Sequence, residues 1–99
     1  MNRLDLSGRV AIVTGGARGI GLAVARRMVA SGAAVSVWDL DPGKTEESRA
    51  ALAADGNVTA EVLDLSDETA VAEATTKTIA AHGKVDILVN NAGITGGNM

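Results

Sequence analysis

"TGGARGIG", residues 14–21, places four glycines in eight positions. What flanks it decides the fold. Before it lies "RVAIVT" (9–14), a short run that is nearly all apolar and β-branched, as expected of a parallel strand covered on both faces. After it comes "IGLAVARRMVAS" (20–31), where Ile20, Val24, Met28 and Val29 recur along one helical stripe and Gly32 stops the helix. The glycines therefore sit at a strand-to-helix turn.

The same alternation continues outward. "AVSVWD" (34–39), "VTAEVLD" (58–64) and "VDILVN" (85–90) read as three further strands. A second helix is expected over 43–54, entered through Asp41 and Pro42. A third is expected over 67–82, with Ser66 as N-cap, Asp67 and Glu68 at its positive end, and Gly83 after its last turn. The order β-α-β-α-β-α-β with short connections predicts an α/β fold, a parallel sheet with right-handed crossovers and helices on both faces. No linker or low-complexity tract divides residues 1–99, so one domain is expected.

Composition narrows the function classes. Hydrophobic residues make up 46% of the chain, yet Trp38 is the one aromatic, so Ala and Val fill the core. Nine Lys and Arg oppose twelve Asp and Glu for a net charge of −3, with no basic block to form a nucleic-acid surface. No apolar stretch is long enough for a membrane span, and Asp5 and Arg9 interrupt what a signal peptide would need. The absence of cysteine fits a reducing cytoplasm and removes thiolate metal sites. His82 is the single histidine and cannot build a histidine metal site, so no metal ligands are assigned.

A helix N-terminus presents free N–H groups and about half a positive charge, which attracts anions. A diphosphate fits there only if the backbone comes close. Gly15 would let the chain turn off the strand, Gly19 would leave room for phosphates, and Gly21 would let the helix press on the sheet. The spacing G-x-x-x-G-x-G is neither the G-x-G-x-x-G fingerprint nor a P-loop, and a tight turn without ligand remains the bland alternative. Three more features stand at strand ends. Asp39 closes the second strand, where a carboxylate would accept hydrogen bonds from an adenosine ribose. Asp64 closes the third, and "NNAG" (90–93) closes the fourth.

With these residues in place, the chain resembles the short-chain dehydrogenase/reductase family over essentially its whole length. The resemblance rests on Thr14–Gly21, Asp39, the Asp64-Leu65 pair and Asn90-Asn91-Ala92-Gly93. Within the family it is most similar to 3-oxoacyl-carrier-protein reductase-like members, and "NNAGITGGN" is also similar to some sugar-acid dehydrogenases. The resemblance implies a Rossmann-type domain and a dinucleotide cofactor. It implies that Gly15, Gly16, Arg18, Gly19, Ile20 and Gly21 surround the pyrophosphate and adenosine ribose. Asp39 would hold the ribose hydroxyls, Asp64 and Leu65 would line the adenine pocket, and Asn90, Ala92 and Gly93 would border the riboses. Thr14 and Asn91 would be structural. A 2′-phosphate beside Asp39 would be a like-charge contact, so NAD is expected over NADP, although Arg18 argues the other way.

The family's chemistry uses Ser, Tyr and Lys, with the Tyr four residues before the Lys. This chain has no tyrosine, its last serine is Ser66, and Lys44, Lys77 and Lys84 stand in the wrong places. No catalytic residue is assigned. The expectation is the N-terminal, cofactor-binding part of a longer oxidoreductase acting on an alcohol or ketone, inactive as residues 1–99 alone. A non-catalytic dinucleotide-binding module is the alternative, and a methyltransferase with the same general sheet fits the loop spacing less well. Helices of such proteins also form oligomers, which makes a homo-oligomer a further expectation. His82 is expected to be a solvated helix-end residue, Trp38 to pack under a helix, and Lys44, Glu46, Glu47 and Arg49 to form a solvated face.

Overall fold

The computed structural model describes residues 5–91. Four strands, β1 (Val10–Thr14), β2 (Ala34–Asp39), β3 (Val58–Val62) and β4 (Ile87–Asn90), alternate with three helices, α1 (Gly19–Ala30), α2 (Pro42–Ala53) and α3 (Glu68–His82). The strands form one parallel sheet in the order β3-β2-β1-β4. This is the doubly wound α/β architecture that the strand and helix periodicities predict.

Strand alternation divides the core in two. Ala11, Val13, Val35, Val37 and Val58 face Ala25 and Val29 of α1 and Leu52 of α2. Ile12 and Trp38 face the other way, where they meet Leu63, just after β3, and Ala74 of α3. Trp38 thus packs under a helix, as its position beside Asp39 suggested. Its indole N–H donates to Ser36 Oγ at 2.9 Å, and Ser36 Oγ lies 3.4 Å from Thr78 Oγ1 of α3. These buried polar groups on the α3 side satisfy one another, which offsets their loss of water.

Several local expectations are corrected. The buried stripe of α1 is Gly21, Ala25 and Val29, while Ile20 is 72% exposed. Small residues face inward because the first turn of α1 runs against the glycine loop, and size alone misplaces the stripe. β3 ends at Val62, level with Asp39 at the end of β2, so Leu63 and Asp64 lie beyond it. β4 begins at Ile87, and Asp86 just before it already bonds β1: its N–H donates to Val10 O at 2.8 Å and its carboxylate accepts from Val10 N–H at 2.8 Å. The N-cap of α3 is Asp67, whose carboxylate accepts from Thr69 and Ala70 N–H. The Ser66 hydroxyl donates instead to Asp64 Oδ1 at 2.7 Å.

His82 is not a solvated end residue. Its Nε2 lies 2.8 Å from Thr59 Oγ1 on β3, and its Nδ1 is buried without a hydrogen-bond partner. Burial holds its pKa below the ordinary 6.5. The charged face of α2 is as expected: Arg49 pairs with Glu46 at 2.6 Å, and Lys44 stands 3.9 Å from Glu47.

Candidate functional site

The sheet order reverses between β1 and β4. From β1 the chain builds outward through β2 to β3, then returns to the other side of β1. Ligands of open α/β sheets bind in the crevice at such a reversal, beyond the carboxyl ends of the strands. Thr14 and Asn90, the last residues of β1 and β4, are register partners there. Thr14 Oγ1 donates toward Val89 O and Asn90 Oδ1, each at 3.2 Å, and accepts Asn91 N–H at 2.9 Å. This hydroxyl ties the two strand ends together, the structural role expected of Thr14 and Asn91.

The glycine loop leaves β1 at this point. Gly15 has φ 66° and Gly19 has φ 58°, left-handed conformations that glycine adopts without strain. A methyl on Gly16 would meet Val13 O at 2.9 Å. A methyl on Gly21 would run into the Gly15 carbonyl and lie 2.8 Å from Asn91 Nδ2. Gly21 therefore lets α1 start against both the loop and the end of β4. Beside Gly19, by contrast, a methyl would find open space.

The N-terminus of α1 is also left without a cap. Arg18 occupies the N-cap position in extended backbone, makes no side-chain cap bond, and no acidic residue lies in the first turn. Asp41 caps α2, and Asp67 caps α3. The first-turn N–H groups of a helix need an acceptor from somewhere. Together with a glycine-lined approach, this donor set fits an anionic group such as a diphosphate.

Asp39 stands half-buried at the end of β2, beside this loop. Its Oδ2 accepts Ala17 N–H at 3.1 Å, and its Oδ1 accepts Leu40 N–H at 2.7 Å. Asp64 is exposed, and its Oδ1 accepts both the N–H and the hydroxyl of Ser66. These bonds, the hydroxyl's first, hold its pKa below the ordinary 3.8. Leu65 is half-buried against the Trp38 cluster. Asn90 is exposed. Ala92 and Gly93 lie outside the described residues. Gly15, Gly16, Arg18, Gly19, Ile20, Gly21, Asp39 and Asn90 thus gather at one end of the sheet. Asp64 and Leu65 follow β3, two strands from β1.

Two participants in the site, Ser48 and Leu40, escaped the sequence reading, and so did Asp86, a fastening at the opposite end of the sheet. Ser48 of α2 is buried, and its hydroxyl donates to Gly16 O at 3.4 Å. Leu40, next to Asp39, is an exposed apolar side chain at the same end of the sheet as Ile20. Asp86 fastens β4 to β1 through Val10 N–H and pairs with Lys84 at 3.1 Å. Its pKa is held low, chiefly by the Val10 N–H and then by Lys84. Among the described residues no group of acidic, histidine or cysteine side chains is placed to hold a metal.

A family model described as short chain dehydrogenase matches residues 9–99. The chain belongs to the short-chain dehydrogenase family. It is 50% identical over 90 residues to a 2-dehydro-3-deoxy-L-rhamnonate dehydrogenase (NAD(+)) of a Sphingomonas species, which covers 91% of this chain and 35% of that protein. It is 39% identical over 99 residues to a 3-oxoacyl-[acyl-carrier-protein] reductase of Chlamydia pneumoniae, covering 97% of this chain and 39% of the reductase. The fold superposes on a metagenomic short-chain oxidoreductase in complex with NADP with a TM-score of 0.82 and 44% identity, over 90% of this chain and 41% of that one. The short-chain dehydrogenase chain therefore spans between about a third and two fifths of the length of the relatives it matches.

Proposed function

We propose that residues 1–99 form the NAD-binding half of an oxidoreductase that moves a hydride between nicotinamide and an alcohol or ketone. One observation carries the reading. The uncapped, glycine-lined N-terminus of α1 opens beside Asp39 at the reversal of strand order. The residues present fit the group. The first turn of α1 would take the diphosphate, with Gly15, Gly16, Arg18, Gly19, Ile20 and Gly21 around it. Asp39 would accept the adenosine ribose hydroxyls, Asp64 and Leu65 would border the adenine, and Asn90, Ala92 and Gly93 would border the riboses. A bound nicotinamide would supply the carbon that takes or gives the hydride.

NAD is favoured over NADP. A 2′-phosphate would meet the Asp39 carboxylate, and like charges across an interface cost several kcal/mol. Both Asp39 oxygens hold backbone N–H groups, so the side chain does not swing aside freely. Arg18 is exposed and would offer only a solvated counter-charge. Calorimetric titration with both dinucleotides tests this. At least about tenfold tighter NAD binding is expected, equivalent to about 1.4 kcal/mol, and tighter NADP binding refutes it.

Turnover is a separate matter. With no tyrosine in residues 1–99, the proton donor used by the family is missing from them. We expect no ketone-dependent NADH oxidation from this chain alone, and a coding sequence that continues into Tyr-x-x-x-Lys. A panel of hydroxylated sugar acids and 3-oxoacyl thioesters, the substrate types in the relatives' names, is the first to try on such a longer polypeptide. The second reading, a dinucleotide-binding module without chemistry, rests on the same uncapped α1 and Asp39. A coding sequence that stops at Met99 would favour it.

A further inference from the structure

Asp39 occupies the place of a ribose acceptor, yet it already holds the glycine loop. Ala17, in the middle of that loop, is 5% exposed, and its N–H donates to Asp39 Oδ2 at 3.1 Å. A buried N–H that loses its acceptor cannot readily turn to water. Two other bonds reach the loop from the same side. Gly15 N–H donates to Trp38 O at 2.8 Å, and Ser48 Oγ donates to Gly16 O at 3.4 Å. Residues 15, 16 and 17 are thus each fastened to β2 or α2. Of the three bonds, the one to Asp39 has a charged acceptor and so is the strong one by kind.

We propose that Asp39 is a positioning residue for the glycine loop. It fixes Ala17, and through it the path into α1, before any dinucleotide arrives. A carboxylate has about four lone-pair sites, so two backbone bonds leave acceptor capacity for a ribose. One side chain then couples loop geometry to ribose recognition. A substitution at position 39 made to change cofactor preference also releases the loop.

Amide hydrogen exchange at Ala17, measured on the full chain without nucleotide, tests the positioning. Asp39→Ala is expected to speed exchange at Ala17 by about tenfold or more. Asp39→Asn, whose one amide oxygen can still accept the Ala17 N–H without the charge, is expected to fall between the parent and Asp39→Ala, at least about threefold slower than the latter. Unchanged exchange in Asp39→Ala overturns the proposal. If that variant does not fold, Asp39→Ser, too short to reach Ala17, replaces it with the same two outcomes.

The binding arm rests on the dinucleotide reading above. It uses NAD and its analogue with a 2′,3′-dideoxyadenosine half, which offers Asp39 no hydroxyl. The Ala and Asn variants carry the same charge, so their difference reads the hydrogen bond. Analogue affinity about five- to tenfold weaker in Asp39→Ala than in Asp39→Asn is expected. Equal affinities overturn the coupling, because a residue serving only the ribose would give that result. If the parent binds neither ligand, the dinucleotide reading fails, and Ala17 exchange still decides the positioning role.

Discussion

Gly21→Ala adds one methyl where the structure has no room for it. The new carbon would run into the Gly15 carbonyl, lie 2.7 Å from Gly15 C and lie 2.8 Å from Asn91 Nδ2. Two of these atoms are backbone, in a residue held at φ 66°, so they do not yield cheaply. Overpacking of this kind costs roughly 1–3 kcal/mol. Alanine's better helix propensity returns up to about 1 kcal/mol. Because the clash is with backbone, the upper end of that cost applies, and a net loss near 2 kcal/mol follows, which for a domain of this size lowers Tm by roughly 8–16 °C. Gly43→Ala is the internal control. It also lies in a first helical turn, but its methyl would meet only Asp41 Oδ1 at 3.5 Å. It should gain about 0.5–1 kcal/mol from propensity. Urea unfolding followed by fluorescence reads both, since Trp38 is the only tryptophan and is 3% exposed. A Gly21→Ala variant within about 0.5 kcal/mol of the parent would refute the packing argument, since that is the scatter of ordinary surface changes.

Thr14→Val removes the hydroxyl that joins β1 to β4, and should cost about 1–2 kcal/mol in urea unfolding, with Thr14→Ser recovering most of it. Asp67→Ala should destabilise by about 1 kcal/mol through loss of the α3 cap, whereas Ser66→Ala should change stability by less than about 0.5 kcal/mol. His82 is a base with a depressed folded pKa, so the unfolded state binds more protons and stability rises with pH. Its contribution is full above 6.5 and is lost as pH falls through the lower folded value; His82→Gln should flatten unfolding midpoints between pH 7 and 5. Asp86 has its carboxyl held below 3.8, so its contribution is full above that value and fades as pH falls through the folded pKa. Asp86→Asn should remove that part of the acid sensitivity, read from the same midpoints at pH 2 to 4.

The order of elements was legible because it is written locally. β-branched runs, helical spacing, and punctuation by Gly32, Pro42 and Gly83 each lie within one element, and they agree with one another. What failed was relational. Ile20 reads as core by size, but it lies outside because Gly21 must lie inside, a fact set by Gly15 and Asn91. His82 reads as a helix end open to water, but the last turn of α3 rests on Thr59, 23 residues away. Asp86 and Val10 are 76 residues apart, and Ser48 and Gly16 are 32 apart. No period or cap signal carries such pairs.

The glycine loop shows how the two kinds of information combine. Its glycines are visible in sequence because backbone conformation restricts residue type. Its fastenings are not, because an N–H has no identity and any acceptor nearby serves. Asp39 stood out as an acid at a strand end, a position that suggests a ligand. The same carboxylate also answers a need of the apo fold, because Ala17 is buried and must donate somewhere. Under the proposed function, a residue serving both demands would be harder to replace than either alone suggests. The open N-terminus of α1 is the complementary case. Asp41 and Asp67 complete their helices from within the chain, and Arg18 does not. Where the turns into α2 and α3 supply their own acceptors, the glycine loop supplies none to α1, and bonds from β2 and α2 hold its shape.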